Sequence, residues 1–225
     1  MDVFSGEELT CIRSERIVFA GFNFSVKAGD ALVLSGPNGS GKSSLLRLMA
    51  GISRPAAGEI TWRGKSITED PERFFSDMHY VGHRDAVKQA LSVRENLIFH
   101  SALRSVTSNI DNALDLTGLA ALADVPARML SAGQTRRLAL ARMLSSPAPL
   151  WLLDEPTVAL DTVSVERLRA AIASHREGGG IVIASTNVPL NIEDGVSVDI
   201  STFARENATL WSNDIADELG TEKRI

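Results

Sequence analysis

The chain has little of what would brace a protein with disulfides or metals, or thread it through a membrane. It carries one cysteine, Cys11, among 225 residues, so no intrachain disulfide can form, which suits a reducing compartment. Its four histidines, His79, His83, His100 and His175, lack cysteine or carboxylate neighbours at metal-ligand spacing, which argues against a structural zinc site. No long lysine or arginine run occurs, and the net charge is −5 at pH 7. Nucleic acid is therefore not expected as a partner, because neutralising its phosphates requires a basic face. The longest charge-free stretch, 178–192, is broken by glycines, asparagines and Pro189, and no transmembrane helix is expected there. The opening MDVFSGEELT is acidic and lacks the basic-then-apolar order of a signal peptide. If the protein works at a membrane, another chain must hold it there.

What is present is an ordinary α/β pattern. The 44% hydrophobic content supports a full core in one domain, with two small lobes possible. CIRSERIVF (11–19) and FNFSVKAG (22–29) alternate apolar and polar residues and predict antiparallel strands, as does the hairpin GEITWRGKSI (58–67). ALVLSG (31–36), MHYVGH (78–83), PLWLLDE (149–155) and IVIAST (181–186) read as strands, the apolar runs among them as buried ones. Helical spacing follows in KSSLLRLMAG, with Gly51 as its C-cap, and fills much of 92–147, where Ser92 and Glu95 form a capping box. TVSVERLRAAIASHREGGG reads as a helix closed by glycines. The alternation implies a mostly parallel sheet covered on both faces. Residues 201–225 predict a short strand pair and a frayed tail.

Two segments carry chemistry. Residues Gly36, Pro37, Asn38, Gly39, Ser40, Gly41, Lys42 and Ser43 match G-x-x-x-x-G-K-[ST], a loop whose amides point inward at phosphate oxygens. Lys42 adds charge for the β- and γ-phosphates, Ser43 offers a hydroxyl to Mg²⁺, and Ser44 continues the phosphate-facing helix start. The second is the strand LWLL ending in Asp154 and Glu155. Asp154 is placed to hold Mg²⁺ through water. Glu155, on the opposite side of the pleat, is placed to polarise the attacking water as general base. ATP and Mg²⁺ are the ligands these residues imply.

Leu130-Ser131-Ala132-Gly133-Gln134, at the start of a helical stretch, resembles the LSGGQ signature of ATP-binding cassette ATPases. The resemblance covers about residues 8–200, as one ABC ATPase domain, and leaves 201–225 as a C-terminal strand and tail. It implies a P-loop NTPase fold of ABC type: a mostly parallel sheet core, an antiparallel β lobe, and a helical lobe carrying LSAGQ. It also implies a head-to-tail homodimer, with each ATP held between one copy's phosphate loop and Ser131, Ala132, Gly133 and Gln134 of the other. Val158-Ala159-Leu160-Asp161 is similar to the loop that communicates between the two nucleotide sites. Three positions depart from the family pattern. His83 stands where a glutamine usually reaches Mg²⁺ and water, and Asn187 stands where a histidine usually contacts the γ-phosphate. Arg13 occupies roughly the place of the adenine-stacking aromatic, where its guanidinium plane could stack instead. Asparagine can hydrogen-bond phosphate but cannot carry a proton, which leaves open slow hydrolysis or a regulatory nucleotide-binding role.

Within the superfamily, the tract YVGHRDAVKQALSVRENL, with LSAGQ followed by paired arginines, resembles the CcmA family, the cytochrome c biogenesis ATP-binding export proteins of a haem exporter. That resemblance implies a peripheral subunit on the cytoplasmic face of the bacterial inner membrane. It would be docked through residues 84–93 on an integral subunit resembling CcmB, in a complex with CcmC and CcmD that releases haem-loaded chaperone. No CxxCH motif is present and no direct haem contact is expected. The ATPase of another exporter stays open as an alternative.

Overall fold

The first two strands, β1 (Val3–Arg13) and β2 (Arg16–Lys27), form a long hairpin that turns at Ser14 and Glu15, both left-handed (φ 48° and 63°). The structure is a computed structural model and describes residues 2–104, 109–187 and 190–204. The chain continues through β3 (Ala31–Ser35), α1 (Lys42–Met49), β4 (Ala57–Trp62), β5 (Lys65–Ser66), α2 (Pro71–Ser76) and β6 (Met78–Val81). Helices α3 (Val93–Arg104), α4 (Ile110–Thr117) and α5 (Ala132–Ser145) follow, with two 3₁₀ turns between α4 and α5. The last elements are β7 (Leu150–Asp154), α6 (Thr162–Glu177), β8 (Ile181–Ser185) and β9 (Val196–Asp199), closed by a 3₁₀ turn at Ile200–Phe203.

Two sheets result. The antiparallel one runs in the order β2-β1-β4-β5 and the parallel one in the order β6-β7-β8-β3-β9. Pleating decides which core each residue joins, since successive side chains point to opposite faces. Along β7, Leu150 and Leu152 join the core shared with α1 and the antiparallel sheet, whereas Trp151 and Leu153 join the core under α5 and α6. Along β8, Ile181 and Ile183 divide from Val182 and Ala184 in the same way. Burial on both faces is why these strands read as unbroken apolar runs. A third, smaller core of Val93, Leu97, Leu114 and Leu138 holds α3, α4 and α5 together as a helical lobe.

The architecture matches the expected parallel core with antiparallel and helical lobes, and several local readings change. Helix α1 ends at Met49 with Ala50 as its cap, and Gly51 lies one residue further on, where its left-handed backbone (φ 66°) turns the chain away. Helix α2 starts at an Asp70 cap whose side chain accepts from the Arg73 amide, with Pro71 at the first position. Strand β9 pairs with β3 at the sheet edge. The 3₁₀ turn occupies the place where a strand was expected to begin at 201, and residues 205–225 lie outside the described residues.

Candidate functional site

Strands β3, β7 and β8 lie side by side in one parallel sheet, and such sheets bind ligands beyond their carboxyl ends. From β3 the chain enters the loop 36–41. Gly36 and Gly41 adopt φ 126° and 104°, conformations that L side chains avoid. A Cβ on Gly36 would lie 2.8 Å from Asp199 Oδ1 and 2.9 Å from Ser40 Oγ, and one on Gly41 would lie 2.7 Å from Val18 Cγ1. The loop is therefore wedged between β9 and β2, and only glycine fits at its ends. Gly41 offers helix α1 no capping side chain, and no acidic residue sits in the first turn. The positive start of α1 is thus left facing the loop.

Lys42 is buried, and its Nζ donates to the Gly36 carbonyl at 2.6 Å, the Pro37 carbonyl at 3.1 Å and Asn187 Oδ1 at 2.9 Å. Asn187 also donates from Nδ2 to Asn38 Oδ1 (2.8 Å) and from its backbone amide to Glu155 Oε2 (3.1 Å). One asparagine therefore touches the loop, the lysine and the carboxylate. Asp154 is 2% exposed, and its Oδ1 accepts from the Ser43 hydroxyl (2.9 Å) and the Ser185 hydroxyl (2.7 Å).

Glu155 corrects a sequence expectation. Strand β7 ends at Asp154, and Glu155 leaves it in the left-handed region (φ 46°) rather than standing on the opposite side of the pleat. Its amide donates to the Ser185 carbonyl and to Ser185 Oγ, both at 3.1 Å. Its Oε1 is buried without a hydrogen-bond partner, as is Ser40 Oγ. A carboxylate with one anchored oxygen and one unpartnered oxygen is equipped to accept a proton from a molecule placed against it.

The structure thus gathers residues 36–43, Asp154, Glu155 and Asn187. Ser44 sits in the first turn of α1, and with Arg13 it opposes the rise that burial gives the pKa of the Cys11 thiol. Arg13 is exposed at the end of β1, and among the described residues no hydrogen bond joins it to the phosphate loop. His83 is exposed in the loop after β6 and makes no hydrogen bond among the described residues.

The signature segment stands apart. Ser131 caps α5: its hydroxyl accepts from the Gln134 amide (3.3 Å), and the Gln134 side chain accepts from the Ser131 amide (2.8 Å). A Cβ on Gly133 would lie 2.7 Å from the Ala159 carbonyl, so Gly133 backs onto the 158–161 loop while Ala132 is exposed. Asp161 Oδ1 caps α6 by accepting from the Ser164 amide (2.7 Å), and hydrogen bonds from Ser164 hold its carboxyl below the usual range. Among the described residues, no hydrogen bond joins 130–134 or Asp161 to the phosphate loop. Nor do any three His, Cys, Asp or Glu residues cluster as a metal site among them.

Three contributors were missed from sequence: Ser185, which shares Asp154 with Ser43; Asp199, packed against Gly36; and Arg136, bonded to the backbone of 154–156. The TRR run after LSAGQ held a signal for the last, since a buried helix face has no use for arginine unless it is paired.

Comparison with known proteins fits this geometry. A model of the ABC transporter family matches residues 19–158. The cytochrome c biogenesis ATP-binding export protein CcmA of Paramagnetospirillum magneticum is 50% identical over 206 residues, covering 89% of this chain and 95% of its own. The protein of that name from Escherichia coli is 42% identical over 194 residues, covering 86% and 93%. Among solved structures, an ABC transporter ATP-binding protein from Pyrococcus furiosus superposes with a TM-score of 0.80 at 26% identity, over 90% of this chain and 100% of that one.

Proposed function

The chain belongs to the ABC transporter family and, within it, to the CcmA group, and from that premise we propose that it is the ATP-binding and ATP-hydrolysing subunit of a complex serving cytochrome c biogenesis. The observation that carries the chemistry is the convergence of Lys42, Ser43, Asp154 and Glu155 beside the start of α1, with Asn187 joining lysine to glutamate. The amides of 39–44 and Lys42 Nζ hold the phosphates, Lys42 exchanging the Gly36 and Pro37 carbonyls for phosphate oxygens. Mg²⁺ arriving with the nucleotide would neutralise charge on the phosphates, and the Ser43 hydroxyl and Asp154 carboxylate, an all-oxygen pair suited to a hard cation, are the residues that would hold it. Glu155 accepts the proton of the attacking water on Oε1 while the Asn187 amide steadies Oε2. Asn187 donates hydrogen bonds but transfers no proton, which favours slower turnover than a histidine would give.

A second copy of the chain completes the site by presenting Ser131, Ala132, Gly133 and Gln134 to the γ-phosphate, and Asp161 lines the same interface. Arg13 serves the adenine and His83 faces the γ-phosphate side. The integral partner, resembling CcmB and accompanied by CcmC and CcmD, docks on residues 84–93. In support, Asn96 is fully buried and bonds the Lys88 amide and the carbonyls of Lys88, Leu91 and Ser92, while Arg142 donates to the Ala86 carbonyl. The exposed side chains of Arg84, Lys88 and Gln89 therefore project from a firmly held backbone. No helix among the described residues is long and apolar enough to cross a membrane, so the partner supplies the membrane contact, at the cytoplasmic face of the inner membrane. The domain runs from 8 to 200, and the protein takes no nucleic acid and makes no direct haem contact.

The test is Glu155→Gln with Mg-ATP, examined by sedimentation at micromolar concentration. An ATP-bound dimer with only slow residual turnover is expected, and a protein that stays monomeric contradicts the proposal.

A further inference from the structure

Arg136 lies in the second turn of α5, is 4% exposed, and has an acceptor for each of its five N–H groups. Nη2 donates to the carbonyls of Asp154 (2.7 Å) and Glu155 (2.8 Å), and Nε donates to the carbonyl of Pro156 (3.4 Å). Nη1 donates to the carbonyl of Gly82 and to Asp85 Oδ1, both at 2.9 Å. Four of the five acceptors are backbone carbonyls, so the guanidinium reads the path of the main chain. It sets three consecutive residues at the end of β7 and the loop on either side of His83.

The position of Glu155 explains why such a clamp is needed. Its left-handed backbone (φ 46°) is a conformation a glutamate does not choose, a strain that the surroundings must hold. Ser185 fixes the amide side of that residue and Arg136 fixes the carbonyl side. Among the described residues the side chain itself has one tether, the Asn187 backbone amide on Oε2. Where Glu155 Oε1 points is therefore decided by its backbone, and one half of the backbone's support comes from a helix of the other lobe. That helix begins at Ser131, five residues earlier, so the signature segment and the carboxylate share a rigid connection.

We propose that Arg136 is a positioning residue for hydrolysis: it holds Glu155 in the orientation that accepts the water proton and ties that orientation to the placement of α5 and the 82–85 loop. This rests on the reading of Glu155 as general base. A lysine cannot substitute, because one ammonium cannot reach acceptors spread around a planar fork.

The experiment is a double-mutant cycle on the purified full chain, measuring kcat and the dissociation constant of a fluorescent ATP analogue for wild type, Arg136→Gln, Glu155→Gln and the double variant. Arg136→Gln is expected to lower kcat at least about tenfold in the wild-type background and less than about twofold in the Glu155→Gln background, because residues acting as a unit are not additive. Nucleotide affinity stays unchanged in both. Equal kcat losses in the two backgrounds, or a loss of affinity parallel to the loss of kcat, would overturn the proposal. If Arg136→Gln does not fold, Arg136→Lys carries the same cycle with the same expected outcome. Wild-type turnover by Glu155→Gln would instead overturn the reading of Glu155, whatever Arg136 does.

Discussion

Helices α1 and α5 both begin beside a glycine-bearing loop, and the two starts are finished in opposite ways. Helix α1 begins at Gly41, which has no side chain to give its amides, and its first turn holds no acid. Helix α5 begins at Ser131, and Ser131 and Gln134 cap each other reciprocally. Around α1 the surrounding side chains (Lys42, Asn187, Ser43, Asp154) are drawn inward to the loop and to one another. Around α5 they are drawn backward, with Gly133 against the Ala159 carbonyl and Arg136 buried against 154–156. An open helix start demands an anion, whereas a capped one is stable alone and can meet an anion from outside. Under the proposed function, the first start is the nucleotide site and the second is the surface that another copy's site meets.

The sharpest break of that contrast is Lys42→Ala. It removes the cation and all three Nζ bonds, and nucleotide binding measured by calorimetry should disappear, with α5 untouched. Next comes Ser131→Ala, which deletes the cap and should cost about 1 kcal/mol in urea unfolding. It should lower turnover while leaving ATP binding to the isolated chain at the wild-type level. Asn187→His is a smaller change: position 187 is exposed, so the new imidazole should add an inflection near pH 6.5 to the pH–rate profile. Wild type should lack it.

Acid acts on the scaffold away from both helix starts, where His79 meets Ser146 and His100 meets Arg142 near the end of α5. Burial lowers the pKa of His79 to about 3, assisted by Arg104, and that of His100 to about 4, assisted by Arg142. Burial likewise lowers His175, stacked on Trp151, to about 4. Unfolded, each titrates near 6.5, so between these values the unfolded chain binds more protons. The stability contributed by neutral histidines is complete above pH 6.5 and is lost as pH falls through 6.5 towards 4. Thermal midpoints measured across that window should fall, and a flat profile would contradict these burials.

Much of this was legible in the sequence because glycine spacing, strand-ending carboxylates and a Ser-x-x-Gln cap each encode a local geometry. The four strand readings, three of them followed by helical spacing, pointed to the parallel core for the same reason. Less legible was anything set by contacts between distant segments. Nothing local to LWLLDE says that Glu155 turns left-handed; that follows from Ser185 and Arg136, thirty residues downstream and nineteen upstream. Strand β9, only VSVD, is too short for periodicity to reveal and exists by pairing with β3. Helix α2 was not read from the sequence, because six residues are too few to show a helical repeat, although Asp70 caps it and Pro71 opens it.

In the proposed dimer the open start of α1 in one copy meets the capped start of α5 in another. Mixing two inactive proteins, Lys42→Ala and Ser131→Arg, tests it most directly, since only their heterodimer contains one site with both halves intact. Equal mixing should restore ATPase activity to as much as about a quarter of the wild-type rate, half the randomly paired dimers carrying one good site of two. A mixture as inactive as its components would contradict it.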